Sequence, residues 1–222
     1  MATRRRGLRY EAEVRFPLES SAELEGRLKE AGGWVRFRYA FTDTVFRRPG
    51  GGPAAEVLRL REDRRPHRRC RLLLSVARTR SAGGLVVRWP ALGQGKVCLY
   101  EGTRRDVERV ARALGFEPHF RIHHLRGRAW TLPGGAEVVV EKVRADGAGR
   151  AVELGWWAEV AVRVASAGQA SRRMRSILRV LGLAGREGLS EGFPQFVARA
   201  LAGRPTPGVE PRRSRPYVGR TP

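Results

Sequence analysis

The feature that most constrains the fold is the strict alternation of polar and apolar residues in Tyr10–Phe16, which reads YEAEVRF. Successive side chains of a β-strand point to opposite faces, so Glu11, Glu13 and Arg15 share one face and the other face is apolar. Two carboxylates beside a guanidinium are suited to holding a metal ion next to an anionic group. The commoner structure behind such alternation is a surface strand whose charged face meets solvent.

The same division into a charged and an apolar face recurs later in the chain. Arg59 and Arg61 share one face of a strand pattern, Glu141 follows a run of valines, and Glu153 interrupts an apolar segment. Strands of this kind can curl around a polar lumen, in which arginines bind phosphate oxygens and carboxylates bind Mg²⁺ or Mn²⁺. They fit equally a sheet whose polar face lies in solvent and carries ordinary ion pairs. The pattern alone leaves both alternatives open.

The remaining patterns predict an α+β protein of one domain. Alternation and turn residues predict strands at 8–17, 34–46, 57–62, 71–77, 85–89, 119–130, 136–144 and 150–164. Helical spacing and capping residues predict helices at 22–31, 103–115, 171–181 and 189–201. We assign residues 1–7 to a basic N-terminal segment, 8–202 to the domain, and 203–222, rich in proline and arginine, to a disordered tail.

Charge and composition narrow the classes of partner. The chain has 222 residues and a formal net charge of +22, which attracts anions such as polyphosphates, nucleotides, RNA and DNA. For nucleic acid, the most suitable outer patches are Arg64–Arg71 and Pro211–Arg220. Two cysteines make no disulfide framework, and we expect both to be reduced. The sequence shows no signal peptide and no apolar window of about 20 residues, so we expect a cytoplasmic protein that does not bind membranes.

Several segments, in order, resemble the motifs of the CYTH domain superfamily, the triphosphate tunnel metalloenzymes that include class IV adenylate cyclases and thiamine triphosphatases. Glu11–Arg15 resembles the family's E-x-E-x-K signature, with arginine in place of lysine. The other similar segments are Asp43–Phe46, Leu58–Arg61, Arg104–Phe116, Ile122–Trp130, Gly149–Leu154 and Leu189–Leu201. The match follows the family's order over roughly residues 8–201.

The resemblance implies an antiparallel eight-stranded β-barrel, with flanking helices, that encloses a substrate's triphosphate. It implies a Mg²⁺ or Mn²⁺ cofactor and attack on phosphorus by water or by a ribose 3′-oxygen. The metal ligands it implies are Glu11, Glu13 and Glu153, with Glu141 nearby. The implied phosphate ligands are Arg15, Arg59, Arg61, Arg71 and Arg126, with His124 facing the lumen. Glu11, Glu13 and Arg15 are the implied catalytic group.

Some positions depart from the family pattern. His124 stands where the family has a lysine, Val76 aligns with a second lysine position, and Gly155 replaces the second glutamate of an E-I-E segment. The first hypothesis is a metal-dependent phosphohydrolase acting on ATP, thiamine triphosphate or inorganic triphosphate. The alternatives are a class IV-type adenylate cyclase, a nucleotide- or polyphosphate-binding module without turnover, and a nucleic-acid-binding protein. A homodimer is compatible with each hypothesis.

Overall fold

The computed structural model describes residues 10–49, 56–65, 69–82, 85–90, 96–189 and 192–204. They form the strands β1 (Tyr10–Leu18), β2 (Trp34–Arg47), β3 (Glu56–Arg65), β4 (Arg69–Ala82), β5 (Leu85–Pro90), β6 (Lys96–Gly102), β7 (Glu117–Thr131), β8 (Glu137–Gly147) and β9 (Arg150–Val164). They also form the helices α1 (Ala22–Glu30), α2 (Arg104–Ala113), α3 (Ala167–Val180) and α4 (Phe193–Leu201). The basic N-terminal segment and nearly all of the tail, both predicted from the sequence, lie outside the described residues.

The strands form one antiparallel sheet that curls on itself. Their order is β3-β2-β7-β8-β9-β1-β5-β4-β6, and an additional pairing joins β3 to β4. The length of β4 allows this, because residues 69–76 pair with β3 and residues 77–82 pair with β5. The result is a barrel-like tunnel with an inner and an outer face, which confirms the predicted α+β fold. The resemblance implied about eight strands, and the described sheet has a ninth, β6, which lies beside β4.

Helices cover the apolar outer face of the tunnel. Leu28 of α1 and Met174 of α3 are fully buried against β1, β8 and β9. Val107 and Ala111 of α2 are fully buried against β3 and β4. Burying a large aliphatic side chain in this way contributes about 1.5–3 kcal/mol. Because these contacts fix the outer face, the charged residues that alternate with the apolar ones are directed into the tunnel.

Local capping sets where α2 and α3 begin. The Thr103 hydroxyl accepts a hydrogen bond from the Asp106 backbone N–H at 3.2 Å, which confirms the helix start predicted there. The helix predicted at 171–181 begins earlier, at Ala167, because the Ser166 hydroxyl accepts from the Gln169 N–H at 3.3 Å and caps it. The sequence prediction missed this first turn of α3.

α4 brings aromatic side chains to the tunnel. It begins at Phe193 and not at Leu189 as predicted, because the Leu189 N–H donates to the backbone oxygen of Arg15 at 2.8 Å and ties that segment to β1. Its second residue is Pro194, which needs no hydrogen bond at a helix start. The Phe193 ring lies 5.3 Å from the Trp157 ring and 4.6 Å from the Arg15 guanidinium carbon. α4 therefore packs in an apolar cluster of its own, together with Trp157, and also contacts the inner charged cluster.

In the described part of the chain, none of the helices combines the length and the apolar character that crossing a bilayer requires. Cys70 and Cys98 are both free thiols, as expected from their number. A cytoplasmic location remains a prediction.

Candidate functional site

One carboxylate, Asp43 of β2, holds two arginines of the neighbouring β3 inside the tunnel. Its Oδ2 accepts from Arg59 Nη1 at 3.0 Å and from Arg61 Nη2 at 2.8 Å, and its Oδ1 accepts from Arg61 Nε at 2.8 Å. Arg59 also donates to the Ser75 hydroxyl at 2.9 Å. Burial alone would raise the pKa of Asp43, which is 1% exposed, but the charges and hydrogen bonds of Arg61 and Arg59 hold it far below its usual range. Asp43 is therefore ionised, and the two guanidiniums lie side by side.

A second cluster surrounds Arg15 of β1. Its Nε lies 3.3 Å from a Glu13 oxygen and its Nη1 lies 3.4 Å from a Glu141 oxygen. Its Nη2 forms an ion pair with Glu159, which stands opposite Arg15 in the β1–β9 register. Three carboxylates from three strands thus converge on one guanidinium.

Glu141 of β8 is the most buried of these three carboxylates, at 2% exposure. One of its oxygens accepts from the Tyr39 hydroxyl at 2.8 Å and lies 2.8 Å from His124 Nδ1. Burial would raise the pKa of Glu141, but the charge and hydrogen bond of His124, with the charge of Arg15, lower it to about 2. Because an ionised carboxylate only accepts hydrogen bonds, His124 Nδ1 carries the proton in this contact. Burial and the Glu141 charge raise the pKa of Tyr39, so its hydroxyl stays protonated.

Lys96 of β6 adds a third cation beside the arginine pair. It stands opposite Ser75 of β4, the residue that binds Arg59. Its side chain keeps access to solvent, but the protein around it and the charges of Arg59 and Arg61 lower the pKa of its ammonium group to about 8. A lysine repelled by two neighbouring guanidiniums regains stability when an anion binds between them.

The aromatic rings of β2 follow the same inner face. The Phe37 and Tyr39 ring centroids are 5.9 Å apart, those of Tyr39 and Phe41 are 5.2 Å apart, and those of Phe41 and His124 are 4.1 Å apart. The Arg61 guanidinium carbon lies 3.7 Å from the centroid of Phe41. The row of Phe37, Tyr39 and Phe41, called here the β2 ladder, therefore ends against the arginine pair.

The structure brings together most of the predicted site residues. The members that meet in these clusters are Glu13, Arg15, Arg59, Arg61, His124 and Glu141. Glu11 and Arg71 also lie in strands of the tunnel but have other partners: Glu11 accepts from Arg163 at 3.2 Å, and Arg71 pairs with Asp63.

The structure places the other two predicted residues away from the clusters. Glu153 is exposed on β9, eight residues from the position opposite Glu13, which is about 25 Å along a strand. Glu153 therefore cannot share a ligand with Glu13. Arg126 is exposed and has a positive φ of 52°, at a bulge where the β7–β8 register shifts. This bulge breaks the alternation that would have placed Arg126 on the same face as His124.

Sequence reasoning did not select Glu159, Tyr39 or Lys96. For Glu159 the sequence contained a signal, because the apolar residues Ala158 and Val160 flank it. In the structure both of these residues are fully buried against the outer helices. The alternation of β9 thus directs Glu159 inward. Lys96 carried no comparable signal, because its place depends on the long-range pairing of β6 with β4.

The carboxylates predicted to bind a divalent metal do not form a metal site as arranged. In the described ranges, no group of three or more His, Cys, Asp or Glu side chains could hold a metal ion. Carboxylate oxygens suit Mg²⁺ or Mn²⁺ chemically, but Glu13 and Glu141 contact Arg15, and Glu11 contacts Arg163. These residues do not fit a bound metal in this arrangement, and a metal cofactor remains a prediction from the family resemblance.

Solved structures with the same fold are known. A conserved hypothetical protein from Pyrococcus furiosus superposes with a TM-score of 0.60 at 17% identity, covering 83% of this chain and 98% of that one. A protein from Vibrio parahaemolyticus described as a "putative adenylate cyclase" gives a TM-score of 0.60 at 13% identity, covering 85% and 98%. The Hippeastrum protein HpAC1, described as a "putative adenylyl cyclase" with a dominant triphosphatase activity, gives 0.58 at 13% identity, covering 90% and 98%. No family model matches this chain, and no curated protein matches its sequence.

Fold and site together define a protein with an antiparallel tunnel whose inner face carries paired arginines and carboxylates. This fold, shared with the adenylate cyclase-like structures, is the one that the CYTH resemblance implied. At identities of 13–17% the likeness concerns the fold, and activity is a separate question.

Proposed function

We propose that this protein binds the phosphate chain of a triphosphate compound in its tunnel and that its activity is phosphohydrolysis. The observation that carries the proposal is that Arg59 and Arg61 of β3 and Lys96 of β6, the two strands that flank β4, share the inner face. Guanidinium forks match the geometry of phosphate oxygens, and a lysine with a lowered pKa favours an added anion. The triphosphatase activity described for the Hippeastrum protein, which has the same fold, supports this choice of reaction.

The chain's own residues can perform two parts of a hydrolysis. The three cations neutralise charge on the phosphate oxygens, which lowers the barrier to attack by water. The carboxylates of Glu13 and Glu159, 13% and 19% exposed, lie on either side of Arg15 and can accept the proton that the attacking water releases. A divalent metal, if it binds, would supply further charge neutralisation.

The test is a substrate panel with a matched pair of variants. Inorganic triphosphate, ATP and thiamine triphosphate are incubated with the protein, with Mg²⁺, Mn²⁺ or a chelator, and the release of phosphate and pyrophosphate is measured. Arg61→Lys keeps the charge but loses the two-pronged hydrogen bond, so we expect triphosphate affinity to fall about tenfold or more. Arg109→Ala on α2, an arginine with an exposed side chain, is the control and should bind normally.

Each outcome assigns a different function. Phosphate release that Arg61→Lys weakens supports the proposed phosphohydrolase. Pyrophosphate released together with cyclic AMP from ATP would identify a cyclase instead. Saturable binding without turnover would identify a binding module, and no binding of any triphosphate would contradict the proposal. A metal requirement is read directly from the chelator series.

A further inference from the structure

The β2 ladder extends from the arginine pair to the solvent. Phe37 is 46% exposed although it is a large apolar side chain, whereas Phe41, at the other end, contacts Arg61 and His124. The Phe37 and Phe41 ring centroids are at most about 11 Å apart, because the two steps through the Tyr39 ring are 5.9 and 5.2 Å. A molecule that touches both ends must therefore be elongated, with an anionic part at the arginines and a flat apolar part at Phe37.

The middle of the ladder is fixed in place by the surrounding structure. The Tyr39 ring packs on the backbone of Gly127, where an added Cβ would lie 2.3 Å from a ring carbon. Its hydroxyl is held by Glu141 at 2.8 Å. Gly127 follows the bulge at Arg126, so β7 provides a recess for this ring. Tyr39 and Phe41 thus have set positions, and Phe37 continues their row to the open end.

The exposed ring also lies near positive charge. The Arg36 guanidinium carbon is 5.9 Å from the Phe37 centroid, and Arg36 itself pairs with Glu137 at 3.4 Å. An aromatic ring flanked by a guanidinium is a combination that proteins use to stack bases without reading their sequence. The arginine pair and the three rings of the β2 ladder thus form one continuous inner face.

Building on the proposed function, we propose that Phe37 stacks against the aromatic ring of an organic triphosphate, so that the ligand is a nucleoside triphosphate or a compound of similar shape and not inorganic triphosphate. The phosphate chain binds at Arg59 and Arg61, and the ring lies over Phe37 at the exposed end of the β2 ladder. The inference depends on tunnel binding of phosphate, but it adds a separate requirement for a ring.

The experiment compares two probes by isothermal titration calorimetry with the full-length protein. ATP carries the ring, and inorganic triphosphate carries the same number of phosphates without it. Stacking of one base contributes about 1–3 kcal/mol, so Phe37→Leu should weaken ATP binding between about fivefold and about 150-fold. Its affinity for inorganic triphosphate should stay within twofold of the wild type. Thiamine triphosphate, measured in the same series, shows which ring is preferred.

Trp34→Leu provides the matched control. Trp34 is another exposed aromatic residue of β2, at 54% exposure, and lies outside the ladder. We expect it to leave ATP binding unchanged, and both replaced side chains are exposed enough for the variants to fold. Equal weakening of both probes by Phe37→Leu, or an equal effect of Trp34→Leu on ATP, would overturn the ring site while leaving the phosphate site intact. Absence of binding of both ATP and inorganic triphosphate in the wild type would instead refute the proposed function.

Discussion

Replacing Asp43 by asparagine removes the charge that holds Arg59 and Arg61 together. Both guanidiniums contact the same oxygen, at 3.0 and 2.8 Å, so the two nitrogens lie no more than about 6 Å apart. At an effective dielectric constant of about 20, two unit charges at that distance repel by about 3 kcal/mol. Adding the lost charged hydrogen bonds, we expect Asp43→Asn to lower the free energy of unfolding by about 3–5 kcal/mol.

Urea denaturation followed by circular dichroism measures this change. Glu23→Gln is the control, because Glu23 makes a solvent-exposed ion pair with Arg27 at 2.8 Å, and a pair of that kind contributes about 1 kcal/mol or less. Inorganic triphosphate should restore part of the stability of Asp43→Asn, because an anion bound only by the folded state stabilises it. A loss below about 1 kcal/mol, equal to the control, would refute the reasoning from geometry.

The pH dependence of the same variant gives an independent check. The folded pKa of Asp43 lies well below its unfolded value of about 3.9, so its contribution to stability is complete above that value and is lost as the pH falls toward the folded pKa. The difference between wild type and Asp43→Asn should therefore be constant from about pH 5 to pH 8 and shrink only below about pH 4. A difference that changes near neutral pH would mean that another group dominates the site.

Three further predictions follow from the inner face. The affinity for inorganic triphosphate should fall as the pH rises through about 8, because Lys96 loses its proton there. In titrations across pH 7–9, Lys96→Met should flatten this dependence. A wild-type profile that is already flat would contradict the role of Lys96. The folded pKa of Lys96 is below its unfolded value, so the unfolded state binds more protons between these two values. The free energy of unfolding of the unliganded protein should therefore rise as the pH increases from about 8 to 10.5. Gly127→Ala should displace the Tyr39 ring and cost about 1–3 kcal/mol in urea denaturation, and an unchanged midpoint would show that the recess is not tight.

Alternation along single strands was enough to predict part of the site. The period of two placed Glu13 and Arg15 on one face of β1, and Arg59 and Arg61 on one face of β3, and the structure has these pairs on the inner face. These strands keep their register through the residues concerned, so a count along the sequence gives the correct face. The family resemblance added Glu141, which meets Arg15 inside the tunnel.

The predictions did not hold where backbone irregularities interrupt the alternation. Gly155, with a φ of 78°, lies between Glu153 and Glu159, where the β8–β9 register shifts. Counting by twos along β9 therefore does not place Glu153 on the same face as Glu159. Arg126 lies at a similar bulge in β7. Register shifts depend on how neighbouring strands pair, and the pattern of one strand contains no information about them. The same holds for Lys96, whose neighbours come from other strands.

The net charge of +22 is a poor guide to this site, because the inner clusters are nearly balanced. Their acidic members are Glu13, Asp43, Glu141 and Glu159, and their basic members are Arg15, Arg59, Arg61 and Lys96. A phosphate that binds at the arginine pair competes with Asp43 for the same donors, so affinity depends on the difference between two sets of charged hydrogen bonds. Under the proposed function, such a site favours a ligand that brings several phosphate oxygens at once and makes further contact through an organic ring. Each of these contacts offsets part of the free energy lost when the arginines release Asp43. If a phosphate chain binds as proposed, the balance of charge inside the tunnel therefore matters more for its selection than the net charge of the chain.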